Sequence, residues 1–89
     1  MGRLDGRAAL ITGSTRGLGL AMARAFTREG AVVGVCARDG AAAAKVAREL
    51  GSLGKEGTGF ALDVTDPAQV EAVVGAFVSA QGGRLDILV

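Results

Sequence analysis

The sequence predicts an α/β fold in which a doubly wound parallel sheet lies between two layers of helices, in the order β-α-β-α-β-α-β. Two features predict this class. Short apolar runs alternate with longer stretches whose apolar residues recur three and four positions apart, which is the helical spacing. The short runs are apolar throughout, as is typical of strands that helices cover on both faces, and parallel neighbours need such helices as crossovers.

The first half of the chain contains a strand, a helix and a second strand. The apolar run 8–12 is the first predicted strand and ends at Gly13. A helix is predicted over 17–29, and Gly30 ends it because glycine enters the left-handed conformation without strain. The second strand covers 31–37. The predicted apolar face of the helix consists of Leu18, Ala21, Met22, Ala25 and Phe26.

The second half of the chain continues the alternation. A helix is predicted over 40–50 because the segment is rich in alanine, and a strand is predicted over 59–64. Asp66 and Pro67 predict the start of a third helix, since aspartate caps free amides and proline suits the first helical position. A fourth strand is predicted over 85–89. The predicted packing residues are Val46, Ala47 and Leu50 in the second helix and Val70, Val73, Val74 and Phe77 in the third.

Composition and charge argue against several classes of function. The formal net charge is +1 and only 3% of the residues are aromatic, so nucleic acid would find neither a basic field nor stacking surfaces. No apolar run approaches the roughly 20 residues of a membrane span, and no signal-peptide pattern is present, so a cytoplasmic protein is expected. With one cysteine and no histidine, neither a disulfide nor a metal site is expected, and Cys36 is interpreted as a core residue.

A glycine-rich turn joins the first strand to the first helix. Gly13 permits a sharp turn off the strand, Gly17 leaves room for a ligand beside the backbone, and Gly19 permits close packing of the helix on the strand. The helix N-terminus would offer free amides and a partial positive charge to a pyrophosphate, and Ser14 and Thr15 would add hydroxyl donors. The position of the turn between a strand and a helix favours phosphate binding, although the same residues also suit a purely structural turn.

This turn resembles the cofactor motif of the short-chain dehydrogenases/reductases, a family of Rossmann-type oxidoreductases. The matching residues run from Thr12 to Gly19 with the spacing Thr-Gly-x-x-x-Gly-x-Gly. Asp63 and Val64 resemble the family's adenine-contacting pair, which implies that the carboxylate accepts from the adenine amino group and that the Val64 amide donates to the ring. The segment 85–89 resembles the family's fourth strand. Among the subgroups, the chain looks most like the three-oxoacyl carrier-protein reductases.

The resemblance implies a set of cofactor-binding residues that contains no catalytic residue and no metal ligand. Three of its members have alternative interpretations. Asp63 would also serve as a cap of the loop at a strand end, and Arg16 and Arg38 would also be ordinary exposed charges. The implied residues are Gly13, Ser14, Thr15, Arg16, Gly17, Leu18, Gly19, Arg38, Asp63 and Val64.

The residues after the second strand favour NADP over NAD as the cofactor. In NAD-binding folds an acidic residue about 20 positions past the glycine turn binds the adenosine ribose, and its charge would repel a 2′-phosphate. The corresponding position here is Ala37, which is neutral. Arg38 follows it, and a guanidinium group clamps a phosphate through two parallel hydrogen bonds, while Arg16 would reach the same phosphate from the glycine turn. Asp39 leaves NAD open, because a small shift in register would bring its carboxylate to the ribose.

The catalytic residues that the resemblance implies are missing from the chain. The family uses a tyrosine, a lysine, a serine and an asparagine to reduce carbonyls or oxidise alcohols, and this chain contains no tyrosine and no asparagine. Residues 1–89 are therefore expected to be a dinucleotide-binding Rossmann domain, truncated before the catalytic half and inactive alone. An apolar fourth strand at the sheet edge predicts poor solubility or association of the isolated chain. A full-length form is expected to be a homo-oligomer that acts on a small carbonyl or alcohol substrate.

Three other functions remain open on the sequence. The chain would also suit a stand-alone nucleotide-binding module without catalysis, or a half-domain that another chain completes. The third alternative is a different Rossmann enzyme, such as a sugar-nucleotide epimerase or a methyltransferase. The glycine spacing and the Asp63–Val64 pair argue against this third alternative, and preferential binding of NADPH over sugar nucleotides would exclude it.

Overall fold

A computed structural model describes residues 2–89 and contains the predicted order of strands and helices. Each element lies within a few residues of its predicted bounds, and the second helix matches its prediction at both ends. In chain order the elements are β1 (Ala8–Ile11), α1 (Gly17–Arg28), β2 (Val32–Ala37), α2 (Gly40–Leu50), β3 (Thr58–Ala61), α3 (Pro67–Ala80) and β4 (Ile87–Leu88).

The strands form one parallel sheet in the order β3-β2-β1-β4, which confirms the predicted fold class. The chain moves outward from β1 through β2 to β3 and then crosses back to the other side of β1. α1 and α2 lie against one face of the sheet, and α3 packs against the other, so the architecture has three layers. The strand order therefore reverses at β1, and in open α/β sheets ligands bind beyond the carboxyl ends of the strands at such a point.

Two apolar clusters, one on each face, hold the helices to the sheet. The central strands supply both clusters, since successive side chains of a strand point to opposite faces. On one face, Val33 and Val35 pack with Ala23 of α1 and with Val46 and Leu50 of α2. The buried residues on the other face are Ala8, Leu10, Cys36, Leu62, Val73 and Phe77.

The packing residues predicted for α2 and α3 are confirmed. All three residues predicted for α2 are buried. In α3, Val73 and Phe77 are buried, and the other two predicted residues pack against them while partly exposed. The Phe77 ring also meets Phe60 edge-on, with 6.1 Å between the ring centroids, which joins α3 to β3.

The apolar face predicted for α1 is wrong in part. Leu18 is 78% exposed, and Ala21 and Ala25 are exposed as well. The buried residues of this helix are Ala23 and Thr27, and the other two predicted residues are partly buried. Thr27 is buried without an unpaired polar atom because its hydroxyl donates to the Ala23 carbonyl, 2.8 Å away. A pattern that counts only apolar residues misses such a threonine.

The third and fourth strands are shorter than predicted. β3 ends at Ala61, and past it the Leu62 amide donates once more to a β2 carbonyl, 2.8 Å away. Asp63 and Val64 therefore lie in the loop between β3 and α3 rather than inside the strand. β4 covers only Ile87–Leu88.

Candidate nucleotide-binding site

The turn between β1 and α1 needs glycine at two positions. Gly13 and Gly17 both have φ of +60°, a conformation that side chains with a Cβ rarely adopt. Among residues 2–89, positive φ occurs only at glycines. Apart from the adjoining backbone, no atom lies within 4 Å of the place where a Cβ of Gly17 would stand, so the backbone is open to a ligand there.

Gly19 is required by a close contact inside the turn itself. A Cβ at this position would overlap the Gly13 carbonyl oxygen and would stand 2.9 Å from the Gly13 carbonyl carbon. The close packing expected of Gly19 is therefore present, but its neighbour is the turn rather than β1. The contact holds the first turn of α1 directly against the glycine turn.

The N-terminus of α1 has no side-chain cap, whereas the other two helices have one. Asp39 accepts from two amides of α2 at 2.9 and 3.3 Å, and Asp66 accepts from two amides of α3 at 3.0 and 3.4 Å. At α1 the cap position is Arg16, whose side chain makes no capping hydrogen bond. The first three amides of α1 have no acceptor among residues 2–89. These amides and the positive end of the helix dipole are therefore available to an anion.

A cleft of about 450 Å³ lies between the glycine turn and the carboxyl end of β2. Its two walls carry one guanidinium group each, from Arg16 in the turn and from Arg38 after β2. An anion in the cleft would meet positive charge on both sides. The residues that line the cleft are Gly13, Thr15, Arg16, Ala37, Arg38, Asp39 and Ala42.

The structure brings together Arg38 and Asp63, which were predicted to contact different parts of a cofactor. Their closest nitrogen and oxygen atoms are 3.7 Å apart, and the Arg38 side chain is 78% exposed. An ion pair between exposed groups contributes little, so the guanidinium group is free to turn towards an anion in the cleft. Asp39 lines the same cleft, but its Oδ1 oxygen faces the amides that begin α2.

Ser14 is placed differently from its prediction as a hydroxyl donor to phosphate. The residue is completely buried, and its hydroxyl donates to the Ile11 carbonyl at 2.7 Å. The same oxygen accepts from the Cys36 amide at 3.0 Å. Because a hydroxyl has a single proton to donate, the Ser14 side chain has none left for a ligand in this conformation.

Three other predicted residues are free to contact a ligand. Thr15 is half-buried in the wall of the cleft, and its hydroxyl has no partner within the described part of the chain. Leu18 lies in the uncapped first turn of α1. Val64 is 57% exposed, and its amide makes no hydrogen bond to residues 2–89. A ligand would reach the amides of Leu18 and Val64 without displacing a protein contact.

Asp63 is held by two residues that sequence analysis did not single out. The Thr65 hydroxyl and amide both donate to Oδ1 of Asp63, at 2.6 and 2.9 Å. These hydrogen bonds, with a smaller contribution from the charge of Arg38, hold the pKa of Asp63 below its usual value. The Asp63 amide donates to the side-chain oxygen of Gln69 at 3.0 Å. The spacing of Asp66 and Gln69, which is that of a capping box, is the signal that would have pointed to Gln69.

Asp86 belongs to a separate polar network at the amino end of the sheet. Its Oδ2 accepts from Arg84 at 2.7 Å and from the Ala8 amide at 2.8 Å, and Arg7 lies 3.4 Å from its Oδ1. These contacts, led by the hydrogen bond from Arg84, lower the pKa of Asp86 to about 2. The network joins the start of β1 to the segment before β4 and lies away from the cleft.

Outside the cleft, the described residues offer little other chemistry. Residues 2–89 contain no group of three His, Cys, Asp or Glu side chains that could hold a metal ion. Cys36 is buried, and burial raises its pKa to about 11, so the thiol is protonated at neutral pH. In the same part of the chain, every helix is too short or too polar to cross a bilayer.

The sequence matches proteins of one family over nearly its whole length. The family model described as short chain dehydrogenase matches residues 7–89. D-threitol dehydrogenase of Mycolicibacterium smegmatis is 42% identical over 98% of this chain, and the 3-oxoacyl-[acyl-carrier-protein] reductase of Vibrio harveyi is 41% identical over 97%. The chain spans about a third of the length of these relatives, 33% and 34% respectively.

Solved structures are also similar to this chain over nearly its whole length. A hydroxysteroid dehydrogenase from Escherichia coli has a TM-score of 0.90 at 35% identity, and the likeness covers 97% of this chain and 35% of that one. A 3-ketoacyl-(acyl-carrier-protein) reductase from Brucella melitensis, solved in complex with NADH, has a TM-score of 0.83 at 41% identity. This second likeness covers 96% of this chain and 33% of the Brucella protein.

Proposed function

The chain belongs to the short-chain dehydrogenase family, and we propose from that premise that it binds the adenosine and pyrophosphate part of NADPH in a hydride-transfer oxidoreductase. The observation that carries the proposal is the uncapped start of α1 beside a cleft whose two walls each carry an arginine. Residues 1–89 would form the dinucleotide-binding domain of that enzyme.

Pyrophosphate would bind at the N-terminus of α1. The first three amides of this helix have no acceptor in residues 2–89, and the helix dipole adds the equivalent of about half a positive charge. The missing side chain of Gly17 leaves space for phosphate oxygens beside the backbone. The Thr15 hydroxyl would donate to the same group from the wall of the cleft.

The 2′-phosphate of NADP would bind between Arg16 and Arg38. Ala37 puts no charge where NAD-binding folds carry an acidic residue. The Asp39 carboxylate caps α2, and the positive end of that helix offsets its charge. The Brucella reductase was solved with NADH, so the likeness to it does not by itself favour NADP. The two arginines are what supports NADP for this chain.

Adenine would bind at the loop after β3. Asp63 has a lowered pKa, so its carboxylate is ionised at neutral pH and accepts from the adenine amino group. Its Oδ1 is already bonded to Thr65, which leaves Oδ2 towards the base. The Val64 amide would donate to a ring nitrogen.

When bound, the nicotinamide of the cofactor supplies or accepts a hydride. The chain contains no tyrosine, histidine or asparagine, so none of these residues is present to move the accompanying proton. The 89 residues bind and orient the cofactor, and proton transfer to a carbonyl or alcohol substrate belongs to other parts of a full-length, cytoplasmic, homo-oligomeric enzyme.

The test is the affinity of the protein for NADPH and for NADH, measured by fluorescence titration before and after Arg38→Ala. The affinity for NADPH should fall about 10- to 100-fold, because a charge-assisted hydrogen bond is lost, and the affinity for NADH should change little. Arg24→Ala is the matched control, since it removes the same charge from an exposed position of α1 outside the cleft. An equal fall in the affinities for NADPH and NADH would show that Arg38 does not bind the 2′-phosphate.

A further inference from the structure

The two anion-binding positions of the proposed site are carried by different strands and must keep a fixed distance. The pyrophosphate position is the start of α1, which follows β1, and the 2′-phosphate position includes Arg38, which follows β2. In the dinucleotide the two phosphate groups are joined by covalent bonds, so their spacing varies within narrow limits. The β1–β2 ladder ends at the pair Ile11 and Val35, before either position is reached.

Ser14 continues the connection between β1 and β2 beyond the end of the ladder. Its amide donates to the Cys36 carbonyl at 3.2 Å, and its hydroxyl accepts from the Cys36 amide at 3.0 Å. The hydroxyl also donates to the Ile11 carbonyl at 2.7 Å. The chain turns away from β2 at Gly13, so β1 offers no backbone carbonyl to the Cys36 amide. The Ser14 hydroxyl accepts from this amide instead.

This bridge is sealed from water and lies close to both anion-binding positions along the chain. Ser14 and Cys36 are completely buried, so without the hydroxyl no water would be at hand for the Cys36 amide. Arg16 lies two residues after Ser14, and Arg38 lies two residues after Cys36. Any shift of Ser14 relative to Cys36 therefore moves the pyrophosphate position at the start of α1 relative to the 2′-phosphate position at Arg38.

We propose that Ser14 is a positioning residue that sets the spacing between the pyrophosphate position and Arg38, and through it the preference for a 2′-phosphorylated dinucleotide. This inference rests on the proposed function. NADH uses the pyrophosphate position but has no phosphate for Arg38, so it tolerates a change of spacing that NADPH does not. Ser14 acts through the two main chains it joins, because its own hydroxyl proton is engaged by Ile11.

The test compares Ser14→Ala with Thr27→Val in the full protein. Each variant removes one buried hydroxyl, but the Thr27 hydroxyl donates within α1, to the Ala23 carbonyl, and lies outside the cleft. Fluorescence titration gives the ratio of the NADPH and NADH affinities for each variant. Ser14→Ala should lower this ratio about tenfold, and Thr27→Val should leave it unchanged even where the Tm falls. An unchanged ratio in Ser14→Ala, or an equal loss in Thr27→Val, would overturn the inference.

A measurement on the unsubstituted protein keeps the inference testable where Ser14→Ala does not fold. Hydrogen exchange of the Cys36 amide reports directly on its bond to the Ser14 hydroxyl. The Cys36 amide should be protected as strongly as the Val35 amide, because Val35 lies within the pairing of β2 with β3. Exchange of the Cys36 amide at the rate of an exposed loop would contradict the bridge.

Failure of the inference and failure of the proposed function give different results. A wild-type protein that binds NADH as tightly as NADPH would overturn both. A wild-type protein that prefers NADPH, with a preference that Ser14→Ala leaves intact, would overturn only the role of Ser14.

Discussion

At the scale of single residues, Gly19 has the most demanding steric role in the candidate site. A Cβ at this position would meet the backbone of Gly13, which cannot yield without moving the turn. Gly19→Ala should therefore weaken NADPH and NADH binding alike by about tenfold or more and should destabilise the protein by about 1–3 kcal/mol. Titration with both cofactors and urea unfolding measure the two effects.

Gly75→Ala is the matched control for Gly19→Ala. Gly75 lies inside α3, and apart from the neighbouring backbone of its own helix no atom stands within 4 Å of the place where its Cβ would be. Alanine should stabilise the protein there by about 0.5–1 kcal/mol, because it restricts the unfolded chain and favours the helix. A Gly19→Ala protein as stable and as competent in binding as Gly75→Ala would show that the close contact is not required.

Thr65 provides a second prediction at the residue scale. Thr65→Val removes the hydroxyl that donates to Asp63 at 2.6 Å and keeps the shape of the side chain. The pKa of Asp63 should rise towards its ordinary value, and the affinity for NADPH and NADH should fall by the same factor, about fivefold, because both carry adenine. A loss confined to NADPH would contradict the adenine role of Asp63, since both cofactors carry adenine.

Local chemistry explains which site residues could be predicted from the sequence. Gly13 and Gly17 occupy conformations that favour glycine, and Arg38 directly follows a recognisable strand, so each has a signal near its own position. The bond between Ser14 and Cys36 joins residues 22 positions apart and depends on the register of two strands. That register follows from packing of the whole sheet, which is why the sequence alone predicts a ligand contact for the Ser14 hydroxyl instead.

At the scale of elements, the uncapped N-terminus of α1 predicts that substitutions which cap the helix stabilise the fold and weaken the binding of NADPH. Arg16→Asn would place a capping side chain where the helix has none and should stabilise the protein by about 1 kcal/mol. Arg16→Asp should stabilise it by a similar amount but should also repel phosphate, so NADPH binding should fall much further than in Arg16→Asn. Urea unfolding without cofactor and titration with NADPH separate the two effects.

Equal NADPH affinities for Arg16→Asn and Arg16→Asp would contradict the account of α1, since they would mean that no phosphate lies at the helix start. Unchanged stability in both variants would mean that the first amides of α1 already have partners. Only the combination of gained stability and charge-dependent loss of binding supports an anion position at this helix.

Elements and faces whose limits are marked by neighbouring residues could be predicted from the sequence, and those that depend on tertiary packing could not. The bounds of α2 could be predicted because alanine-rich sequence begins after Asp39, which caps the helix, and ends at glycine. The buried face of α1 could not be predicted in full, because Thr27 has a polar side chain. Its hydroxyl finds a hydrogen-bond acceptor, the Ala23 carbonyl, only once the helix has formed. The sequence predicts too late an end for β3, because Leu62 is apolar and buried although the strand ends before it.

At the scale of the whole molecule, Asp86 ties the start of β1 to the segment before β4. Its pKa of about 2 lies below the roughly 3.9 of an aspartate in an unfolded chain. A carboxyl group whose pKa is lowered on folding stabilises the native state above the unfolded pKa, and this stabilisation disappears as the pH falls through the folded pKa. Asp86→Asn should therefore lower the Tm at neutral pH, and the gap to the wild type should close between about pH 4 and pH 2.

The Tm of the wild type and of Asp86→Asn, followed by circular dichroism from pH 7 to pH 2, checks this prediction. Glu71→Gln is the control, because Glu71 is exposed on α3 and has no partner among residues 2–89. A gap for Asp86→Asn that stays constant down to pH 2 would mean that its carboxylate charge does not stabilise the sheet.

We propose that this chain holds a 2′-phosphorylated adenosine with its pyrophosphate between the glycine turn and Arg38. Calorimetric titration of the protein with 2′-phospho-ADP-ribose and with ADP-ribose tests it most directly, because the two ligands differ only in that phosphate and neither carries nicotinamide. 2′-Phospho-ADP-ribose should bind at least about tenfold more tightly than ADP-ribose, since two guanidinium groups meet the additional charge. Equal affinities, or tighter binding of ADP-ribose, would contradict it.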